Sequence, residues 1–327
     1  MTAAAGLRRL RPLVGPLVLI GLIAFFGALY PNTFLTQQNL LVNILETVSF
    51  LMIVAAAQTI VMVVGDFDLS VGGLAALATS FTAALLATTT LAGEPQDPGF
   101  VPLAVAIGLS VGLIGGLING VLVAYLGVLA FIATLGMSVV FTNLARFRVE
   151  GRTVYGLVEE GFVEVARSST LGLSNKVWIA LLIAGAVWFL LDRTTLGRRM
   201  YAVGGNAEAS RFSGIDVKRV RLVAFALCGL GAAAAGILQA ASTATANTSS
   251  PQPWMLQSIA AVFLGMAMFR NGRPNLPGTI LGVILLRVID NGLNFTDITD
   301  AIQSAISGLV IVIAVLPHAI ARMRAQR

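Results

Sequence analysis

Two carboxylates and a hydroxyl stand at two-residue spacing in Gly65-Asp66-Phe67-Asp68-Leu69-Ser70-Val71-Gly72, between two apolar stretches. Such a trio can share a proton, hold a polar ligand or cap a helix. As a catalytic acid pair Asp66 and Asp68 are poorly placed, because they lie on one turn and no other aspartate sits deep in another apolar stretch. His318, the only histidine, has no nucleophile beside it. A proton relay asks for unpaired Asp, Glu or His within a membrane span, whereas Glu46 and His318 both fall at the ends of apolar runs. Arg287 and Asp290 are three apart on an expected helix and are spaced to neutralise each other. Asp68 or Ser70 ahead of an apolar run is an N-cap by default. Asp66, Asp68 and Ser70 therefore read either as part of an inner gate or as a structural turn. Cys228 stands alone in an apolar run and reads as a buried, inert thiol with no disulfide partner.

The elements that must position these groups are membrane spans. The chain has 327 residues, 57% of them hydrophobic and only 11% charged, and the stretches Leu13 to Leu29 and Val101 to Val123 have no charged side chain. Apolar windows place spans near 12–30, 46–64, 70–91, 102–124, 128–147, 176–192, 219–240, 256–270, 277–293 and 301–318. The expectation is an all-α, polytopic membrane protein with about ten transmembrane helices, folded as one transmembrane domain over 1–327. Glycines, 34 in all, suit helices that approach closely or break. Arg8-Arg9-Leu10-Arg11 ahead of Pro12 to Leu29 has the form of a signal anchor. With the N-terminus inside, inner loops carry 15 Lys and Arg and outer loops 5. The positive-inside rule then puts both termini in the cytoplasm. The outer loop 148–175 holds most of the outer cations beside four glutamates and reads as an amphipathic external segment. Basic residues flank spans instead of forming one stripe, which argues against nucleic acid as a partner.

Residues 192–221 form the long cationic island, with seven Lys and Arg against three acids. On the inner side, Asn206 is a strong N-cap, Glu208 lies in the first turn, and Gly214 suits a left-handed C-terminal position. The spacing predicts a two-turn helix over 207–213. So short a helix is marginal alone in water and must be held by the spans around it. Ala209 and Phe212, three apart, share a face that offers a small residue beside an aromatic anchor.

Gly204-Gly205-Asn206-Ala207-Glu208-Ala209-Ser210-Arg211-Phe212-Ser213-Gly214-Ile215 resembles the cytoplasmic loop of permease subunits of bacterial sugar ABC importers, the ribose, xylose and galactose branch. Two more segments match in order: Gly65 to Gly72 resembles the family's Gly-Gly-Ile-Asp-Leu-Ser-Val-Gly, and Pro277-Gly278-Thr279 to Asp290-Asn291-Gly292-Leu293 its Gly-Thr to Asn-Asn-Gly-Leu ending. The resemblance covers nearly the whole chain. It implies the permease fold of the ribose and vitamin B12 importer class, in the bacterial inner membrane. It also implies that Gly205, Asn206, Glu208, Ala209, Arg211, Phe212 and Gly214 form the element that docks an ATPase subunit. Two permease chains, identical or sister, would pair with two ATPase domains that bind ATP and Mg, and take sugar from a periplasmic binding protein. At Phe269-Arg270-Asn271-Gly272-Arg273-Pro274-Asn275 the chain departs from the family's Gly-Gly-Arg-Gly, so the resemblance carries no particular sugar. No Gly-x-x-x-x-Gly-Lys-Ser/Thr loop occurs, so this chain is expected to be no ATPase and to carry no cofactor itself.

A neutral sugar or polyol needs hydroxyl partners and aromatic faces more than fixed charge. Gln58, Asn119, Thr134, Asn143 and Gln257 are the candidates for the substrate pathway, although amides in a bundle are as often interhelical glue. An ion-coupled secondary carrier of small polar solutes is the alternative class.

Overall fold

Where two helices must cross at backbone distance, the sequence supplies glycine. In the computed structural model, α4 (Val101–Ala124) and α10 (Val217–Thr243) form the most extensive helix contact. A methyl group on Gly229 would overlap the Gly112 carbonyl and lie 2.9 Å from the Gly116 backbone. The structure describes residues 3–88, 97, 99–157, 160–269, 272–296, 298–299, 302–303, 305–306 and 308–309. The remaining helices are α1 (Ala3–Leu29), α2 (Leu45–Val63), α3 (Val71–Leu86), α5 (Ala130–Arg148), α6 (Glu160–Arg167), α7 (Asn175–Arg193), α8 (Thr195–Gly205), α9 (Ala207–Phe212), α11 (Trp254–Met268) and α12 (Leu276–Leu293). A π-helix, Gln38–Ile44, leads into α2, and a two-stranded ribbon, β1 (Ser169–Thr170) and β2 (Leu173–Ser174), precedes α7.

Among the described residues six helical stretches are long and apolar enough to cross a membrane: Gln38–Val63, Val101–Ala124, Ala130–Arg148, Asn175–Arg193, Val217–Thr243 and Leu276–Leu293. Val71–Leu86 and Trp254–Met268 are apolar but shorter, and α1 runs 27 residues with an apolar stretch over Gly15–Leu29. Among the described residues, nine of the ten expected spans coincide with apolar helices, and two of these, α3 and α11, are shorter than a full span. In α3 the 16 residues rise only about 24 Å, short of the roughly 30 Å hydrocarbon layer. The apolar window 70–91 had merged this helix with residues beyond its end. The tenth expected span, 301–318, lies mostly outside the described residues, as do His318, Arg270 and the C-terminal cations.

The chain packs as two compact units, Met1–Val48 with Leu256–Arg327, and Ser49–Met255. In the first, α11 and α12 cross closely, because a methyl group on Gly282 would overlap the Ala261 carbonyl. Asn39 and Asn291 exchange amide hydrogen bonds at 2.8 and 2.9 Å, and Phe26, Phe34 and Phe295 cluster nearby. Arg287 pairs with Asp290 at 3.2 Å, as their spacing predicts. In the second unit α10 is central, packed on α3, α4, α6 and α8. The loop 148–175 contains the amphipathic helix α6, which buries Phe162 and Ala166, four apart, and exposes Glu164.

Candidate functional site

The turn between α2 and α3 is buried, and side chains from three helices satisfy it. Asp68 Oδ1 accepts from the Ser70 amide at 2.8 Å and the Ser70 hydroxyl at 2.7 Å. Asn119 of α4 donates to the Ser70 hydroxyl at 2.7 Å. Thr134 of α5 accepts from the Leu69 amide at 3.0 Å while donating to the Ala130 carbonyl at 2.7 Å. Gln58 of α2, with its amide oriented as its neighbours require, donates to the Asp68 carbonyl and accepts from the Asp68 amide, both at 3.1 Å. Non-helical backbone inside a membrane domain needs such partners, since lipid offers none. Ser70 does occupy the N-cap position of α3, but its side chain makes no cap bond. The expected capping hydroxyl is instead turned toward Asp68 and Asn119.

Gln58, Asn119 and Thr134, read from sequence as pathway candidates, are therefore fully buried and converge on this one turn. The other two lie elsewhere. Asn143 is exposed and donates to the Val139 carbonyl of its own helix at 2.8 Å. Gln257, in the other unit, accepts from Arg287 at 3.2 Å.

At the opposite side of the turn Asp66 meets Arg221, in the second turn of α10, at 3.0 Å. The contact is one of charge: neither Asp66 Oδ2 nor Arg221 Nε makes an aligned hydrogen bond. Burial pushes the Asp66 carboxyl above its ordinary range, and the Arg221 guanidinium pulls the other way.

The cationic island is more ordered than its composition suggests. Residues 195–205, expected as loop, form helix α8, because Gly197, Met200 and Val203 recur at three-residue spacing and are all buried while Arg198 and Arg199 face out. Thr194 caps α8 by accepting from the Gly197 amide at 3.1 Å. Near its other end Gly204 sits against the end of α2, where a methyl group would overlap the Val63 carbonyl.

The short helix expected at 207–213 is present as α9, Ala207–Phe212. Asn206 caps it, accepting from the Ala209 amide at 2.9 Å, and Gly214 adopts φ +81° beyond its end. Ser210 is buried, whereas Glu208, Ala209, Arg211 and Gly214 are exposed and Phe212 is 78% exposed. Gly205 is also exposed. A groove of about 390 Å3, lined by Ala124, Ala207, Glu208, Arg211, Val217, Lys218 and Arg221, opens beside the helix. The two segments flanking α9 thus both reach the buried turn, Gly204 at its start and Arg221 at Asp66. In the sequence Gly204 stands only within a motif and Arg221 only among the cations of the island. The adjacent pair Gly204-Gly205 was the one local sign of a close approach.

Comparison with known proteins decides the family. Residues 40–315 match the family described as branched-chain amino acid transport system, permease component. This chain belongs to that permease family. It is 35% identical over 305 residues to the ribose import permease protein RbsC of Escherichia coli (strain K12), an alignment covering 92% of this chain and 91% of that protein. The ribose import permease protein RbsC of Bacillus subtilis (strain 168) is 34% identical over 311 residues, with 95% and 92% covered. The D-allose transport system permease protein AlsC of Escherichia coli (strain K12) is 33% identical over 298 residues, with 91% and 88% covered. The chain is accordingly a multi-pass membrane permease component, and its family's part in transport is not a catalytic one.

Proposed function

We propose that the chain is the permease subunit of an ATP-driven importer that moves a sugar or sugar-like polyol from a periplasmic binding protein into the cytoplasm. Relatives along nearly the whole chain are ribose import permeases and a D-allose transport system permease, which supports the substrate class. The observation that carries the coupling is α9, a two-turn helix capped at both ends that holds Phe212 out at 78% exposure. An aromatic so displayed on a rigid stub is a natural anchor for a partner. We read that partner as an ATPase subunit carrying the ATP and Mg, with a second permease chain, identical or sister, completing the pore. Both termini lie in the cytoplasm in this reading, on the side of the cationic island.

Nucleotide-driven motion at α9 has two routes inward, through the Gly204 contact with Val63 and through the charge contact of Arg221 with Asp66. A contact held by charge tolerates changes of angle that a directed hydrogen bond does not, which suits a link between moving parts. Asp66, Asp68 and Ser70 then act as the inner end of the mechanism, and Asn143 and Gln257 stay as pathway candidates with Gln58, Asn119 and Thr134 behind the turn.

The test is reconstitution. Purified permease alone moves no monosaccharide against a gradient, the complete complex does so with ATP, and substitution of Glu208 or Gly214 leaves ATP hydrolysis running while uptake falls. Concentrative uptake by the lone chain on a proton gradient would instead establish the ion-coupled carrier.

A further inference from the structure

The end of α10 remote from α9 closes over a polar recess that the docking helix and the buried turn do not use. α10 runs 27 residues from Val217 to Thr243, about 40 Å of rise, so in the orientation proposed above this recess faces the outer side. Thr79, Gln239, Thr243, Thr245, Asn247 and Ser250 supply its polar lining, around a cavity of about 60 Å3. Every one of these groups is a neutral amide or hydroxyl. None is a carboxylate or a cation.

Thr79 is the telling residue. It is 5% exposed, lines the recess, and its hydroxyl makes no hydrogen bond to any described residue. A threonine inside a helix normally returns its proton to the carbonyl four residues back, as Thr82 of the same helix does at 3.1 Å. A buried hydroxyl left open costs free energy unless something fills the place. Space for it is kept by Gly236 of α10, where a methyl group would come within 2.6 Å of the Thr79 oxygen.

The far wall is held firm. Ala246 and Val154 exchange backbone hydrogen bonds at 2.9 and 3.0 Å. Ser242 accepts from Arg167 through its carbonyl at 2.8 Å and from Lys176 through its hydroxyl at 2.9 Å. Gln252 donates to Thr142 at 3.1 Å. A rigid wall, neutral hydrogen-bonding groups and an open buried hydroxyl are the features of a preformed polar site.

We infer that this recess is a subsite for the hydroxyl-bearing edge of a neutral polyol entering from the outer side, with Thr79 Oγ1 as its innermost contact. The cavity corresponds to about two waters at roughly 30 Å3 each, so it takes one edge of a sugar ring, with the remainder in the open mouth. Fixed charge is absent from the lining, so a sugar phosphate or a charged amino acid finds no counter-ion there. This inference rests on the importer reading above.

The experiment uses the complete complex in proteoliposomes with saturating loaded binding protein. D-ribose, D-allose and L-arabinose serve as probes, and sugar moved is counted per ATP hydrolysed. For the sugar transported best, T79V is expected to lower that ratio about fivefold, the worth of one hydrogen bond, while T79S stays near wild type. Q239L provides a second variant on the half-buried α10 wall and is expected to lower it likewise. Deoxy analogues of the same sugar separate contact from packing: one of them should be moved equally well by wild type and T79V. Wild-type ratios in both T79V and Q239L would mean that the recess holds water only and would overturn the inference. Should the wild-type complex move none of the sugars with ATP, the importer reading itself fails, whereas sugar import with unaffected variants sinks only the subsite.

Discussion

Thr134 and Asp66 carry different kinds of weight in the same turn. Thr134 accepts from the buried Leu69 amide, and T134V keeps the shape while orphaning that N–H, so it should cost about 1–3 kcal/mol. A lowered thermal midpoint of the detergent-solubilised protein checks this. Asp66 is different, because burial already disfavours its charged form and Arg221, 30% exposed, can rehydrate when released. The folded state thus favours a neutral group at position 66, and its preference for the proton fades as pH rises through the raised value. D66N should accordingly leave melting nearly unchanged and lower sugar moved per ATP severalfold. The exchanged pair D66R with R221D should recover part of that loss, and failure of the swap to recover any would remove the pair from the coupling route. Asn119 and Thr134 were visible in the sequence as polar residues in apolar runs. Their partner was not, because Ser70 and Leu69 lie 49 and 65 residues away.

Helix α9 was legible because its signals are local: Asn206, Glu208 and Gly214 fix both ends within nine positions. The cap makes a direct prediction. N206A should destabilise α9 by about 1 kcal/mol and weaken ATPase-subunit binding several-fold, without moving the global melting transition. F212A should weaken that binding further, as read by co-purification or by surface-based titration. α8 escaped sequence reading because its buried stripe, Gly197, Met200 and Val203, is thin and contains a glycine, while Arg198 and Arg199 dominate the composition. α3 misled in the opposite direction. Uncharged residues continue past Leu86 as far as Gly93, so hydropathy overran the helix, and the length deficit emerged only from backbone geometry.

For the molecule as a whole, composition alone was enough for the class: a multi-pass membrane protein of helices crossing through glycine. The division into two compact units left no trace in composition, since both are equally apolar and chain segments far apart in sequence build the first. Orientation follows from the distribution of cations and can be read directly. A cysteine at position 212 should react with an impermeant thiol reagent only from the cytoplasmic side, and one at exposed Tyr155 only from outside; buried Cys228 provides a silent background. The central claim concerns the energy source. Sugar accumulation against a gradient should be measured in proteoliposomes holding either the lone chain with a proton gradient or the full complex with ATP and loaded binding protein. Accumulation with the full complex and none with the lone chain is the predicted result; accumulation by the lone chain would contradict the account.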